Sequence, residues 1–382
     1  MKIHKYECLK VIKSPVIWLL LVSFLVLNVL QIRECTGMGV QENKDSVKSM
    51  HKAVLMYGVD LNHPKVENPA SDYGQSYKEY VKTYSSLYDS LDMMSILKQK
   101  EKIYNYHPTG AYAHYIEQNY KKLQGRVQEM KQSGEGNYGF YPGLIYEFHS
   151  TLYGEIGQNL LIEMAVLVVL CVLLLMDYER IHKTRDIVIA TKVGKKSMKK
   201  KAFIGCLFGL FYSGLLMLGT YLYFFLHISF QGLWKVPIAS SIMAEKQGLL
   251  FYPFITFWKL TEIQYFILNI LTSIGFLVLI AGITIALQLL LQNSYFTFLV
   301  ESLFYMGLYV FAWYFEAINF LDVIIILMNP ITLWRTCGSW FMEADWRIAF
   351  AGNEFWCLGS CAIITILVLL VGKRRYAKLE IK

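Results

Sequence analysis

The residues with the greatest chemical potential in this 382-residue chain are a few carboxylates and a dense run of lysines. Val193-Gly194-Lys195-Lys196-Ser197 ends like a phosphate-binding loop. The glycine needed five positions before Gly194 is Ile189, however, and the segment adjoins an apolar run rather than following a buried strand. No nucleotide site of the chain's own is therefore expected, and no enzymatic activity. Neither a Ser-His-Asp set, nor an HExxH run, nor a pair of carboxylates at one depth of the apolar segments is expected either, which argues against a protease or a synthase. The seven cysteines lack CxxC spacing, and Cys171, Cys206, Cys357 and Cys361 fall in apolar runs, so neither a metal centre nor a disulfide framework is indicated. Cys35 and Cys337 are the one pair with a route to a bridge. Glu301 stands out as the acid deep inside an apolar run. Left unpaired in hydrocarbon it would cost several kcal/mol, so it must face the interior of a bundle, a partner subunit or a water-filled path. Glu163, Glu316 and Asp322 lie nearer the ends of their segments, where solvation accounts for them.

The elements that must hold these residues are apolar runs of about 20 residues, the length that crosses a bilayer as a helix. With 55% hydrophobic residues and a mean hydropathy of +0.36, the chain reads as an all-α polytopic membrane protein. Six spans are expected: Pro15–Ile32, Leu160–Met176, Ala202–Leu226, Glu262–Leu291, Tyr295–Phe315 and Phe355–Val371. Between the second and third lies Asp177–Lys201, with nine Lys/Arg against three Asp/Glu. Such a loop belongs on the inner side, because Lys and Arg are retained there. The inner pieces together hold 18 basic residues against five acids, whereas 33–157 is nearly balanced at 14 against 15. The net charge of +8 is thus an orientation signal and an attraction to anionic lipid, not a nucleic-acid surface. Both termini are expected in the cytoplasm of a bacterial cell, the membrane being its plasma membrane.

Residues 1–32 read as a basic interfacial helix, with Ile3, Tyr6 and Leu9 on one face, feeding a retained first span. Residues 33–157 read as an extracellular helical domain containing 15 of the 27 tyrosines. Tyr77, Tyr80, Tyr84, Leu87, Leu91 and Met94 repeat at helical steps, as do Tyr112, Tyr115, Ile116, Tyr120, Leu123 and Val127. His107-Pro108-Thr109-Gly110 between them signals the turn of an antiparallel hairpin. Residues 158–382 form the five-helix remainder. Within them Ile318–Leu333 is apolar but interrupted by Asp322 and by Asn329-Pro330. Were it a span, Lys373-Arg374-Arg375 would lie outside, so it reads as a re-entrant segment at 318–333 before the last span. Gly205 and Gly209 form a GxxxG pair suited to close helix approach, a weak indication of a dimer face.

Three stretches together carry a resemblance: KYECLKVIKSPVIWLLLVSFLVLNVL, IATKVGKKSMKKKAFIG and MNPITLW. With this layout the chain resembles the permease subunits of ABC-type-2 exporters of Gram-positive bacteria, over 1–32 and 160–382. The large domain at 33–157 departs from compact members, whose first outer loop is short. The resemblance implies a homo- or heterodimer with a second permease subunit, driven by two cytosolic ATP-binding cassette subunits. ATP and magnesium would sit on those subunits, with no cofactor bound directly by this chain. The coupling helix would map onto 177–201, and the turn near Gln292 would be a second contact. Its lysine-rich end, 195–201, is accounted for by topology and lipid phosphates. The motor-coupling role then falls on Tyr178, Glu179, Arg180, Ile181, Arg185, Ile187 and Val188. The competing expectation is a transducer without transport, in which an ATPase works the spans to move 33–157.

Overall fold

The computed structural model describes residues 2–35, 58, 60, 63, 65, 82, 88–89, 91–138, 149–184, 194–228, 230–239, 255–317, 319–343, 347–348 and 350–379. Among the described residues the chain is helical, and pairing between extended segments is limited to isolated bridges. Six helices are long and apolar enough to cross a membrane. In chain order the helices are α1 (Lys2–Ile12), α2 (Pro15–Cys35), α3 (Met93–Ile103), α4 (Gly110–Ser133), α5 (Gly157–Met176, continuing a π-turn from Thr151), α6 (Tyr178–Ile181), α7 (Gly194–His227), α8 (Glu262–Leu291), α9 (Ser294–Tyr314), α10 (Phe320–Leu327), α11 (Pro330–Arg335) and α12 (Asn353–Leu379).

Local chemistry sets the boundaries. Pro15 lacks an N–H and cannot continue α1, but it suits the first turn of α2. Trp18 Nε1 donates to Ile12 O at 2.8 Å and satisfies one of the carbonyls left open where α1 stops. Thr261 and Gln264 make a capping box at the start of α8. Gln292, in the left-handed region at φ 54°, ends that helix, and the Asn293 side chain caps α9. The turn expected at 292–294 and the apolar helix expected over 262–291 are therefore both formed.

Helices α5 and α7 make the most intimate pair. Gly205 and Gly209 lie so close to α5 that a Cβ on either would stand 2.9 Å from the Cα of Val172 or Val168. Ser213 extends the stripe by donating to Met164 O at 3.1 Å. In lipid, where apolar surface has no preference for protein over acyl chains, such close approach and hydrogen bonding are what hold helices together. The GxxxG pair is consumed inside the chain, which corrects its reading as a dimer face. Asn28 on α2 adds a second polar tie, donating to Glu163 Oε2 at 2.7 Å and Thr220 Oγ1 at 3.0 Å. Glu163 is thus buried and bonded, not solvated. Helix α12 packs along α8.

Helices α3 and α4 form the expected antiparallel hairpin, with Gly110 at φ 61° in the turn. The buried face of α4 carries Tyr112, Ile116, Tyr120, Leu123 and Val127, as the spacing predicts. The first stripe is corrected. Residues 88–89 form a turn and the helix starts only at Met93, capped by Asp92, so Leu91 and Met94 do not share one helix. Tyr77, Tyr80, Tyr84 and Leu87 lie outside the described residues.

Helix α1 buries Glu7 and Val11, with Ser14 just past its end, and packs on α5 and α7, while Tyr6 is exposed. The segment read as one helix over 318–333 is two. Asn319 and Asp322 form a capping box that starts α10, and Asn329 caps α11, whose first residue is Pro330. Cys35 and Cys337 are both free, and Cys337 is buried with its Sγ 3.2 Å from Tyr153 O.

Candidate functional site

The bundle has two ends. At one, the loop end, α1, α6 and the α8–α9 turn converge. At the other, the hairpin end, α3 and α4 sit over the segments joining the last helices.

The loop end is locked by charge. Glu179 of α6 receives Lys10 Nζ at 3.0 Å on Oε1 and pairs with Lys201 through Oε2. Lys10 also reaches Glu7 at 2.9 Å and lies 4.3 Å from the Tyr178 ring centroid, a cation–π contact. Burial opposes ionisation of Glu179, but the bonds and charges of Lys201 and Lys10 outweigh it and hold the carboxyl below its ordinary value. Burial likewise works against the charge on Lys10, and Glu7 with Glu179 raises it on balance. Lys201 is almost fully buried, which corrects the reading of 195–201 as a purely lipid-facing end. Next to this lock, Asp177 Oδ2 accepts from Ser294 N at 2.9 Å and Ser294 Oγ at 2.7 Å. Arg180 bridges from Asp177 to Asn293 Oδ1 at 2.8 Å. Helix α6 is thereby tied at once to α1, α7 and the α8–α9 turn.

Of the residues expected to couple to a motor, Tyr178, Glu179, Arg180 and Ile181 form α6. Glu179 and Arg180 are spent on internal bonds, while Ile181 is exposed and Tyr178 stacks on His182. Arg185, Ile187 and Val188 lie outside the described residues.

Midway along the bundle a cleft of about 410 Å³ opens between α5, α8, α9 and α11. Its walls are apolar except at Glu301, Ser302 and the hydroxyls of Tyr305 and Tyr309. Glu301 is 2% exposed. Its Oε1 accepts from Thr284 Oγ1 of α8 at 2.8 Å, while Oε2 and the Tyr305 hydroxyl are buried beside each other, without a hydrogen bond to any third group among the described residues. The bond from Thr284 is the helix-to-helix contact that was one of the two expectations for Glu301. The rim of the cleft is exposed on the bundle's outer surface at Ile162, Phe298, Met306 and Tyr309.

The hairpin end is clamped by a second set of buried polar contacts. Lys100 Nζ donates to Glu343 Oε1 at 2.7 Å and to the Tyr120 hydroxyl at 3.0 Å, and Tyr120 donates to the same carboxylate at 2.6 Å. Arg126 pairs with Glu135 through both guanidinium nitrogens and reaches Thr256 O through Nε at 3.3 Å. The hydroxyls of Tyr112 and Tyr115 donate to Arg347 O and Ile348 O at 2.9 and 3.2 Å. Burial pushes the Tyr115 phenol up to about 12, so it remains a donor throughout the physiological range.

Beneath the clamp lie two carboxylates that the sequence reading missed. Glu262, in the first turn of α8, accepts from the Tyr153 hydroxyl at 2.9 Å and has His149 Nδ1 at 3.5 Å. Glu354, in the first turn of α12, accepts from Phe341 N at 2.5 Å. Both are nearly fully buried, at one end of the bundle, within electrostatic reach of Tyr265. A helix N-terminus favours negative charge, which is one reason acids are tolerated there. The available signal was that each acid stands in the first turn of an apolar run. No group of three or more His, Cys, Asp or Glu side chains suited to a metal ion occurs among the described residues.

No protein-family model, no curated protein and no solved structure matches this chain.

Proposed function

We propose that the chain is the membrane subunit of an ATP-binding cassette exporter of the type-2 permease class. In this reading it works as a homo- or heterodimer in a bacterial plasma membrane, with both termini cytoplasmic. Separate cytosolic subunits bind ATP and magnesium and press on α6. Helix α1 lies in the inner interface, with Tyr6 and Ile12 turned to lipid. Helices α10 and α11 form a re-entrant element, and α3–α4 belong to an extracellular domain. The observation that carries the reading is the lock at the loop end. A four-residue helix with exposed Ile181 is bonded to α1, α7 and the α8–α9 turn through Lys10, Lys201, Asp177 and Arg180. Force applied at Tyr178 and Ile181 would reach several spans without any chemistry of the chain's own.

The test is copurification of the full chain from its native host. An ATPase should be recovered and then lost on Tyr178→Ala with Ile181→Asp, changes that leave the Lys10, Glu179 and Lys201 bonds in place. A chain that purifies in good yield with no ATPase would overturn the reading.

A second reading is favoured by the clamp at the hairpin end: an ATPase-driven transducer that moves 33–157 and transports nothing. The long-range bonds from Lys100, Tyr112 and Arg126 would then be the output linkage. ATP-dependent substrate movement into vesicles by a chain lacking 44–136 would eliminate the transducer. ATP hydrolysis without movement of any compound offered would favour it over export.

A further inference from the structure

We propose that the cleft beside Glu301 binds membrane-dissolved amphiphilic amines, the amine at the Glu301 carboxyl and the apolar tail along α5 and α9. The volume of about 410 Å³ falls within the range of about 300–1,000 Å³ usual for small-molecule sites. Its walls supply apolar contact at Ile162, Val166, Phe298, Met306 and Trp334. Polar recognition is concentrated at one place. Glu301 Oε2 and the Tyr305 hydroxyl are both buried one helical turn apart on α9, where they act on each other and no third side chain bonds either atom among the described residues. A buried carboxylate whose nearby donors are neutral hydroxyls gains from a ligand that brings a charged donor. An ammonium supplies donors and positive charge together; a carboxylic acid's anion would meet a second acceptor and be refused. Access is from the side, because the rim residues Phe298, Met306 and Tyr309 are exposed along α9 among the described residues. Direct entry from the lipid suits a compound that already partitions there.

This deepens the export reading by naming a substrate class, but binding needs neither a motor nor movement, so the two fail separately. The experiment is calorimetric titration of dodecylamine, dodecanol and dodecanoate into the full chain in lipid nanodiscs, corrected with empty discs. Dodecylamine is expected to bind saturably and dodecanoate not to bind. Glu301→Gln, which keeps the volume, should weaken the amine at least about tenfold while changing dodecanol little. Ile280→Trp, which fills the cleft, should abolish both. Equal amine affinity in wild type and Glu301→Gln would overturn the proposal. So would a tightly held lipid, seen by native mass spectrometry, that blocks the amine and is lost on Ile280→Trp. Cross-linking between Met306→Cys protomers in high yield, with no amine binding, would assign the cleft to a second copy and overturn it as well.

Discussion

Glu179→Gln tests the lock at the loop end most directly. The carboxylate serves two cations of unequal exposure: the side chain of Lys201 is 4% exposed and that of Lys10 is 19%. Lys10 keeps Glu7 after the change, and water can reach it, so its loss is small. Lys201 is left with a positive charge facing a neutral amide. Removing one partner of a fully buried pair costs about 3–5 kcal/mol. Glutamine retains an acceptor and Glu179 itself is 12% exposed, so about 2–4 kcal/mol is expected here. Amide exchange of the peptides covering 5–14 and 178–184, measured in nanodiscs, should accelerate by about 30- to 1,000-fold. Glu179→Leu combined with Lys201→Met removes both charges and should return exchange to within about tenfold of wild type. Unchanged exchange in Glu179→Gln, or a double variant worse than the two singles summed, would refute the account.

The same lock has a defined pH window. Glu179 is depressed in the folded state, so its contribution is present above the unfolded carboxylate value and is lost as pH falls through the lower folded one. Lys10 is raised, so its contribution is complete below the unfolded lysine value and is lost as pH rises through the folded one. Exchange from α1 and α6, corrected for its intrinsic pH dependence, should therefore be flat from about pH 5 to about pH 10 and rise below about pH 4. A rise centred near neutrality would assign the lock to other groups.

Three further outcomes are expected. At the hairpin end, Lys100→Met should destabilise the docked hairpin by about 2–4 kcal/mol, because the buried Glu343 carboxylate loses its bond from the ammonium. The pair Lys100→Met with Glu343→Leu should come back to within about 1 kcal/mol of wild type in a proteolysis-derived stability assay. Gly209→Leu places side-chain atoms where a Cβ alone stands 2.9 Å from Val168 Cα. It should lower stability by about 1–3 kcal/mol or more while leaving the oligomeric mass in light scattering unchanged. Tyr153→Phe removes the donor to Glu262 and should cost about 1–3 kcal/mol in thermal unfolding.

The spans were legible because hydrocarbon admits only helices and closed barrels, so about 20 apolar residues leave one solution. The capped ends at Thr261, Asn293 and Asn319 went unread, although a polar side chain before an apolar run satisfies orphan N–H groups wherever it occurs. The stripe on α4 followed from helical period. What failed was pairing between distant segments. Nothing local tells that Glu179 will meet Lys10 across 169 positions, or that Lys100 will meet Glu343 across 243. Glu163 and Lys201 looked solvated because their place near a segment end was visible and their partners were not. GxxxG specifies a close approach without saying whether the approaching helix belongs to the same chain, and α5 answered that.

The placement of polar links along α9 bears on how such a bundle is held. Much of that helix is exposed and apolar, and apolar contact is worth little as an anchor when lipid offers the same. Its position is therefore set by a short series of bonds. Asp177 to Ser294 and Gln288 to Thr297 act at the loop end. Thr284 to Glu301 acts in the middle, and Asn329 and Arg335 reach the carbonyls of Leu308 and Ala312 at the hairpin end. The first of these passes through the residue that precedes α6, and Arg180 of α6 holds Asn293 beside it. Helix α9 is thus linked to α6 at its first turn, to α8 at Thr297 and Glu301, and to the α11 segment at its far end, and the bond to Glu301 is the one that lies in the wall of the cleft.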